Sequence, residues 1–394
     1  MPSQRSSSPP NSSLSLNTLK QSLLSPFITG PLLLYVTTLN PGILSKIPWP
    51  PRTTTLPLPF RIPFTKTNAI TLRADPPLKT LKVLFSIGVI IHLNRFLNRL
   101  ALNYWHLKKQ GSPWSFDTEG AETIVITGGC SGFGKEMVKM FSSQTKSNIV
   151  VLDIQELPDE LERLARVTHY KIDLSSPSSI TTTVASLLRD HSAAPPTVLI
   201  NNAGIAQAHT ILDTSDAHLS RIFQINVLSH FALLRLLLPT MLSNRKGHVV
   251  TLASMASYTG VANLADYSAT KAAVLALHES LVQELSHRRY GDNGHCVQAS
   301  IVHPMWARTP LIGSWEPGLA RSRQAVLDPQ DVASRVVAQV LAGRSGSVYV
   351  PEDSKRGALL RAVPDWIALI LRGGFQSATD TAEGPRDPEK VPSL

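Results

Sequence analysis

Three side chains in the second half of the chain have the types and spacing needed for proton transfer. Tyr267 and Lys271 are four residues apart, which places them on one helix face, and Ser254 precedes the tyrosine by thirteen residues. A phenol with a pKa of about 10 needs help to act as an acid or base at neutral pH, and a nearby ammonium lowers that pKa. Ser254 can donate a hydrogen bond to a reacting oxygen as charge develops there. Alone, a tyrosine and a lysine at this spacing usually mark an exposed helix face.

A glycine-rich segment, TGGCSGFG at residues 127–134, lies well upstream of these side chains. It follows a strand-like apolar run and precedes a helical pattern, the context in which glycines let backbone amides approach a dinucleotide pyrophosphate. A tight turn without a ligand is the alternative interpretation. Together with Ser254, Tyr267 and Lys271, the segment predicts hydride transfer between a nicotinamide and an alcohol or carbonyl compound.

Asp153 bears on the choice of cofactor, because it ends the next apolar run nineteen residues after Gly134. A carboxylate at that point accepts hydrogen bonds from ribose hydroxyls and repels a 2′-phosphate. Ser131 offers that phosphate no positive charge. We therefore predict NAD(H) as the preferred cofactor and leave NADP(H) open; a plain helix N-cap is the alternative role for Asp153.

From Glu122 onward, short Val/Ile/Leu-rich runs alternate with helical patterns, which predicts an α/β fold with a parallel sheet. The near-continuous apolar content of these runs is typical of strands buried on both faces. The predicted strands are TIVIT, NIVVLD, HYKIDL, TVLINN, GHVVTLAS, CVQASIVHP and SVYVP.

The motifs occur in the order found in the short-chain dehydrogenase/reductase family, and roughly residues 121–350 resemble that family. The resemblance rests on residues 127–134, the NNAG segment at 201–204, Asn226 and the Ser254, Tyr267 and Lys271 set. It implies a Rossmann-type, doubly wound sheet of seven parallel strands, often in dimers or tetramers. It also implies Tyr267 as general acid/base, Lys271 as its tuner, Ser254 as substrate orienter, and Asn226 in a water-mediated proton relay.

The predicted cofactor contacts extend along the whole catalytic region, and no metal is predicted. They comprise Gly128, Ser131, Gly132, Phe133, Gly134, Asp153, Asp173, Asn201, Asn202, Ala203, Gly204, Tyr267, Lys271, Ala307 and Thr309. One motif departs from the family: His303, Pro304 and Met305 stand where Pro-Gly is usual, so the resemblance does not extend to the shape of this loop. Residues 306–326 are the expected mobile substrate lid.

Charge and hydropathy set the N-terminal third apart. Residues 1–120 hold 13 basic and 3 acidic residues, whereas residues 121–394 hold 25 of each, so the whole net charge of +10 lies in the extension. This distribution argues against nucleic-acid binding by the catalytic body and favours an extension that meets an anionic membrane surface. A basic disordered tail is the alternative. The two cysteines, Cys130 and Cys296, indicate a reducing compartment and packing roles.

Two apolar runs within the extension indicate membrane association. The first, between Lys20 and Lys46, is interrupted by prolines, and the second, residues 83–93, is short for a membrane span. The second continues into NRFLNRLALNYW, which is typical of an interfacial amphipathic helix with Tyr104 and Trp105 at headgroup depth. A helix packed on the domain or in a dimer is the alternative. Residues 47–78 are expected to be irregular.

The predicted organisation has three parts. Residues 1–120 form a disordered and hydrophobic extension with membrane-associating helices, 121–355 the catalytic domain, and 356–394 an apolar helix (interfacial or lid-forming) and a disordered tail. The extension and Asp153 make the chain similar to membrane- or lipid-droplet-associated members of the family, such as retinol dehydrogenases and 17-beta-hydroxysteroid dehydrogenase type 11-like enzymes. That similarity implies a lipophilic alcohol, ketone or aldehyde substrate and a cytosol-facing enzyme on the endoplasmic reticulum or a lipid droplet, with a homodimer expected. The alternatives are a soluble biosynthetic ketoreductase and a non-catalytic cofactor-binding protein of a lipid surface.

Overall fold

The computed structural model describes residues 24–39, 53–57, 69–73, 77–287, 289–313, 315–374 and 378–379. The chain forms two compact units, Met1–Ala101 and Leu102–Leu394. Disorder is expected for residues 1–19 and for the last twenty residues, and all of these except residues 378–379 lie outside the described residues.

The described residues of the N-terminal unit form two α-helices and one antiparallel pair of strands. Helix α1 (Pro26–Leu34) continues as a π-helix, Tyr35–Leu39, and helix α2 spans Pro77–Ala101. Strands β1 (Thr53–Pro57) and β2 (Ala69–Arg73) pair antiparallel. The expectation of irregular structure between residues 47 and 78 is therefore wrong at these two strands, and also at residues 77–78, where α2 begins.

Helix α2 contains the apolar run 83–93 and most of the NRFLNRLALNYW continuation that predicted a helix here, and it begins earlier, at Pro77. The NRFLNRLA sequence after that run contains no proline or glycine, so the helix continues without a break to Ala101. The stretch Lys79–Ala101 is long and apolar enough to cross a membrane by length and composition. A second stretch, Asp216–Ser243, passes the same test, but more than half of its apolar window is buried in the catalytic unit.

The two N-terminal helices pack closely through glycines. A Cβ atom on Gly88 would lie 2.4 Å from the Leu24 carbonyl oxygen, so any larger residue would push the helices apart. Phe27 makes an edge-to-face contact with His92, with 6.0 Å between ring centroids. Residues 26–39 and 77–101 are called the N-terminal helical pair below.

Within its described residues, the catalytic unit contains seven strands and nine α-helices. The strands are β3 (Thr123–Thr127), β4 (Asn148–Asp153), β5 (Val167–Lys171), β6 (Val198–Asn201), β7 (Gly247–Leu252), β8 (Val297–Pro304) and β9 (Gly346–Val350). The helices are α3 (Gly132–Gln144), α4 (Asp159–Glu162), α5 (Pro177–Asp190), α6 (Asp216–Phe223), α7 (Ser229–Ser243), α8 (Ala265–Ser286), α9 (Glu316–Arg321), α10 (Pro329–Ala342) and, beyond the sheet, α11 (Asp365–Gly373). Gln224–Leu228 is π-helical, and Met255–Ser257, Gly291–Cys296, Pro310–Ile312 and Glu352–Arg361 are 3-10 turns.

The sheet confirms the predicted fold class. All neighbouring strands are parallel, in the order β5-β4-β3-β6-β7-β8-β9. Helices α5, α7 and α8 cover one face around Leu187, Leu233 and Leu281, whereas α3 and α10 cover the other around Phe141 and Val336. The strand order reverses between β3 and β6, and ligands bind outside the carboxyl ends of the strands at such a switch point.

Tyr104 does not occupy the membrane-interface position that its pairing with Trp105 predicted. It is only 6% exposed, its hydroxyl donates to the Val297 carbonyl at 2.8 Å, and its ring stacks on His295. Trp105 is 65% exposed. The two adjacent residues therefore differ in exposure, because Tyr104 has both an apolar surface and a hydrogen-bond acceptor inside the catalytic unit.

Candidate active site

A cavity of about 570 Å³ opens at the carboxyl ends of the central strands. Its walls come from the glycine loop, the ends of β4 and β5, the segment after β6, Arg221 and Ile225, and parts of residues 252–271, 304–315 and 354–360. The site therefore combines residues that are more than 200 positions apart in the chain.

The glycine loop is shaped for close backbone contact. A Cβ atom on Gly134 would lie 1.9 Å from the Gly128 carbonyl oxygen, so only glycine lets α3 begin at this point. Ser131 occupies the N-cap of α3, but its side chain makes no capping hydrogen bond. The helix N-terminus therefore keeps its positive potential and amide donors for an anion, as a pyrophosphate site requires.

The NNAG segment supports this loop. Asn202 Nδ2 donates to the carbonyl oxygens of Thr127 and Gly128 at 2.9 and 3.0 Å, and the Ala203 amide donates to Thr127 Oγ1 at 3.0 Å. Asn202, Ala203 and Gly204 line the cavity, whereas Asn201 is buried within β6 and does not. A direct cofactor contact by Asn201 is therefore not supported by its position.

Asp153 and Asp173 reach the cavity from the ends of neighbouring strands. The amides of Cys130 and Gln155 donate to the two Asp153 carboxylate oxygens at 2.9 and 3.0 Å, which holds that side chain against the glycine loop. Asp173 accepts from Ser175 at 2.8 Å (amide) and 2.7 Å (hydroxyl), and these bonds lower the pKa of Asp173. Each carboxylate keeps free lone pairs for ribose or adenine donors.

Other predicted cofactor residues lie in two groups around the same cavity. Ser131, Gly132 and Phe133 line it from the start of α3, and Ala307 and Thr309 line it from the loop after β8. Ala307 forms an isolated parallel bridge with Leu327, so this loop has a defined shape although it lacks the usual Pro-Gly.

The structure brings Ser254, Tyr267 and Lys271 to one side of the cavity. Tyr267 and Lys271 share one face of α8, and Lys271 Nζ lies 5.5 Å from the centroid of the Tyr267 ring. Lys271 also donates to the Leu252 carbonyl at 2.7 Å, which fixes the ammonium beneath the site. The Ala256 amide donates to Ser254 Oγ at 3.1 Å, and the Ser254 side chain acts on the Tyr267 phenol in the direction that lowers its pKa.

The pKa of Tyr267 is raised, whereas the nearby lysine predicted that it would be lowered. Burial raises it to about 12, and the hydrogen bond from Ser254 only partly offsets this effect. Burial also lowers the pKa of Lys271 to about 8. Desolvation thus opposes the charged form of both groups, which the four-residue spacing alone did not reveal.

Asn226 lies in the π-helical segment Gln224–Leu228 and is fully buried. Its side-chain amide exchanges two hydrogen bonds of 2.9 Å with the backbone of Ile205 and donates to Thr270 Oγ1 at 3.2 Å. Its described contacts therefore hold the loop after β6, next to Gly204 and Lys271. The proton relay remains a prediction.

His303 supports the backbone of Ser254. From the sequence, His303 was recognisable only as part of a departure from the family pattern. Its Nδ1 lies 3.2 Å from the Ser254 carbonyl oxygen, and its ring stacks on Tyr349 and packs against Tyr258. Tyr258 Oη also contacts His303 Nε2 at 3.3 Å. Burial lowers the pKa of His303 to about 4, so the ring is neutral at physiological pH.

The remaining walls of the cavity are mainly apolar. They are formed by Met255, Val261, Leu264, Trp306, Leu311, Ile312, Trp315 and Leu360. Arg361 donates to the carbonyl oxygens of Ser257 and Tyr258, which fastens the segment Glu352–Arg361 beside the catalytic loop. The first half of the expected lid, residues 306–315, thus contributes to the cavity wall together with the turn Glu352–Arg361, whereas residues 316–326 do not line it. The mobility of the lid stays a prediction.

Comparison with known proteins agrees with this geometry. The family model described as short chain dehydrogenase matches residues 122–319, half of the chain. The chain belongs to the short-chain dehydrogenase family. It is therefore an NAD(P)-dependent alcohol dehydrogenase or carbonyl reductase, and the predicted enzyme class is confirmed.

Individual short-chain dehydrogenases show the extent of the similarity. Dehydrogenase RED3 of Cochliobolus heterostrophus is 36% identical over 185 residues, which are 47% of this chain and 90% of that protein. Mouse 17-beta-hydroxysteroid dehydrogenase 13 is 27% identical over 274 residues, 68% of this chain and 86% of that protein, which supports the predicted branch. The crystal structure of a short-chain dehydrogenase/reductase from Burkholderia phymatum in complex with NAD has the same fold, with a TM-score of 0.55 and 23% identity over 66% of this chain and 97% of that one.

Proposed function

We propose that this short-chain dehydrogenase uses NAD(H) to interconvert a lipophilic alcohol and its ketone or aldehyde at a membrane surface. The observation that carries the proposal is a single cavity in which the glycine loop and Asp153 meet Ser254, Tyr267 and a mainly apolar wall. The polar groups orient one reacting oxygen, whereas the apolar wall suits a water-poor substrate.

The reaction moves a hydride between the substrate carbon and the nicotinamide, and a proton between the substrate oxygen and Tyr267. When bound, the nicotinamide supplies or accepts the hydride. Tyr267 gives its phenol proton to the substrate oxygen in reduction and takes it back in oxidation. Ser254 donates a hydrogen bond to that oxygen, and the Lys271 ammonium stabilises the phenolate that forms.

Asp153 supports NAD(H) over NADP(H). Its carboxylate is fixed by two backbone amides at the place where the adenosine ribose would lie, and its charge repels a 2′-phosphate. We expect kcat/KM to be at least about tenfold higher with NAD⁺ than with NADP⁺, a difference of about 1.4 kcal/mol.

The test is to measure initial rates of the full chain with both cofactors on primary and secondary alcohols graded by chain length and ring number. Rates with NAD⁺ should rise with the apolar size of the alcohol. Asp153→Asn should reduce the ratio of kcat/KM with NAD⁺ to kcat/KM with NADP⁺. Asp159 is an exposed carboxylate outside the cavity, so Asp159→Asn should leave this ratio unchanged. A preference for NADP⁺, or rates that favour small polar alcohols, would contradict the proposal and favour a soluble ketoreductase. NADH binding without turnover on any alcohol would favour the non-catalytic reading.

The N-terminal helical pair supports the membrane part of the proposal. Its described surface carries exposed apolar side chains on both helices: Phe27, Ile28, Leu32, Leu34, Leu39, Val83, Ile87, Ile90, Leu93, Phe96 and Leu97. So many exposed apolar side chains on two short segments suit a lipid environment better than water. We place the catalytic unit on the cytosolic side, on the endoplasmic reticulum or a lipid droplet. The homodimer stays a prediction.

Charged substitutions in α2 test this placement. The double variant Ile87→Lys and Ile90→Lys should move the full chain from the carbonate-washed membrane or droplet fraction to the supernatant, because each lysine costs about 2.5–3.5 kcal/mol at the centre of a spanning helix. Ile211→Lys places a lysine at an exposed apolar position of the catalytic unit and is the matched control. This variant should stay in the membrane or droplet fraction. Wild-type protein in the high-speed supernatant would overturn membrane association.

A further inference from the structure

Two histidines and an aspartate converge on a second polar cluster beside the catalytic helix. His209 lies in the loop after β6, His218 in the first turn of α6, and Asp266 in the first turn of α8. Each offers a ligand atom, and these atoms all lie within 4.8 Å of one another. Among the described residues, this is the one group of histidine, cysteine and acidic side chains with such spacing. The three residues are called the His-His-Asp cluster below.

The distances in this cluster match those of ligands around one small cation. Asp266 Oδ2 lies 3.3 Å from His209 Nε2 and 3.1 Å from His218 Nε2. Tetrahedral zinc with bonds of about 2.0–2.1 Å places its ligand atoms about 3.3 Å apart. The three side chains therefore need little movement to share a cation, and the fourth position would remain for water.

The hydrogen bonding of the cluster is incomplete without a further group. His218 Nε2 is within hydrogen-bond distance of Asp266 Oδ2, and Asp266 Oδ1 accepts from the Tyr267 amide at 2.7 Å. His209 Nε2 is buried and has no hydrogen-bond partner, although it faces the same carboxylate oxygen. The Asp266 side chain is only 3% exposed and that of His209 11%. A buried polar atom left unpaired is destabilising, and its lone pair is the part of imidazole that binds metals.

We propose that the His-His-Asp cluster binds a divalent cation of the zinc class. Two imidazoles and a carboxylate suit zinc, whereas calcium and magnesium prefer oxygen ligands alone. Sequence spacing gave no sign of this site, because His209 and His218 are nine residues apart and Asp266 follows 48 residues later. Only the packing of α6 against α8 brings the three together.

The cation would fasten the loop after β6 to the start of the catalytic helix. The His209 amide already donates to the Asn263 carbonyl at 2.9 Å, and Ala206 and Ala208 pack in the same apolar group as Tyr267. A bound cation would therefore fix the loop after β6, which packs near Tyr267. The role is structural, since the three ligands do not line the catalytic cavity.

The test is direct metal binding by the full chain, purified without a polyhistidine tag and stripped with a chelator. Titration with ZnCl₂ in a calorimeter should show one equivalent bound, and Co²⁺ should give the visible d–d absorption of a low-coordinate nitrogen–oxygen site. His209→Ala and His218→Ala should each weaken zinc binding by more than about 100-fold, because loss of an outer-shell partner alone costs about 10–100-fold.

Two further variants keep the result interpretable. His191→Ala removes an imidazole outside the cluster and should bind zinc like the wild type. Asp266→Asn removes the ligand charge but keeps an oxygen acceptor for the Tyr267 amide, so it should fold, as circular dichroism would check, and bind zinc weakly. A stripped wild-type chain that binds no stoichiometric zinc, or equal affinity in folded His209→Ala and wild type, would overturn the site. The cluster would then be an ordinary imidazole–carboxylate hydrogen bond. Neither outcome depends on alcohol turnover, so the proposed function is tested separately.

Discussion

Replacing Tyr267 with phenylalanine is expected to lower kcat by about 10²–10⁴-fold while NADH affinity stays nearly unchanged. The variant keeps the ring that packs above Lys271 but removes the hydroxyl that exchanges the proton. Ser254 cannot replace it, because a serine hydroxyl is a far weaker acid than a phenol. Steady-state rates with the best alcohol of the panel, together with NADH fluorescence titration, measure the two effects.

The matched control for this variant is Tyr170→Phe. Tyr170 bonds Asp190 through its hydroxyl at 2.8 Å and does not line the cavity, so removing that oxygen should leave kcat unchanged. Turnover retained within tenfold by Tyr267→Phe would refute the assignment of Tyr267 as general acid/base. Loss of NADH binding in the same variant would point to a structural role for the hydroxyl.

Gly134→Ala is expected to raise the NADH dissociation constant by about 10–100-fold and to lower the melting temperature. The new Cβ atom would lie 1.9 Å from the Gly128 carbonyl oxygen, so the glycine loop and the start of α3 must move apart. Forced overpacking of this kind costs about 1–3 kcal/mol, and here the distortion falls on the backbone that faces the pyrophosphate. Fluorescence titration and thermal unfolding measure the two consequences.

Gly260→Ala is the control for the glycine substitution. A Cβ atom there meets nothing within 4 Å, so both NADH affinity and melting temperature should remain at wild-type values. Wild-type NADH affinity in Gly134→Ala would contradict the proposed role of the loop. A lowered melting temperature with unchanged affinity would restrict the role of Gly134 to packing.

The order of elements in the catalytic unit was predictable because its signals are local. Each strand is a short Val/Ile/Leu-rich run, and the observed strands β3 to β9 fall on the seven predicted runs; β3 and β4 match at both ends, and no strand end differs by more than three residues. The largest difference is at β5 (Val167–Lys171), where the prediction began at His169. Val167 and Thr168 pair with Ile149 and Val150, and strand pairing is a tertiary contact that a single run does not display.

The N-terminal unit was less predictable, because its signals compete. The apolar run and its continuation predicted an interfacial helix over residues 83–105, whereas α2 spans 25 residues from Pro77 to Ala101, so it begins earlier and ends before Tyr104. The strands Thr53–Pro57 and Ala69–Arg73 lie in a proline-rich region where irregular structure was expected. Their pairing joins segments that carry no strong strand pattern of their own.

The types of the candidate site residues and their order were determined by the sequence alone. Glycine at 134, the carboxylate at 153 and the spacing of Tyr267 and Lys271 follow from backbone approach, charge and helix periodicity, which are local properties. The tertiary structure alone decided how deeply these side chains are buried, which hydrogen-bond partners they have and which of them meet in one site. Desolvation raises the pKa of Tyr267, Tyr104 lies inside the catalytic unit, and His209 meets Asp266 only because distant segments pack together. The physical reason is that solvent exclusion and long-range contacts depend on all neighbouring elements at once, and no local stretch of sequence contains them.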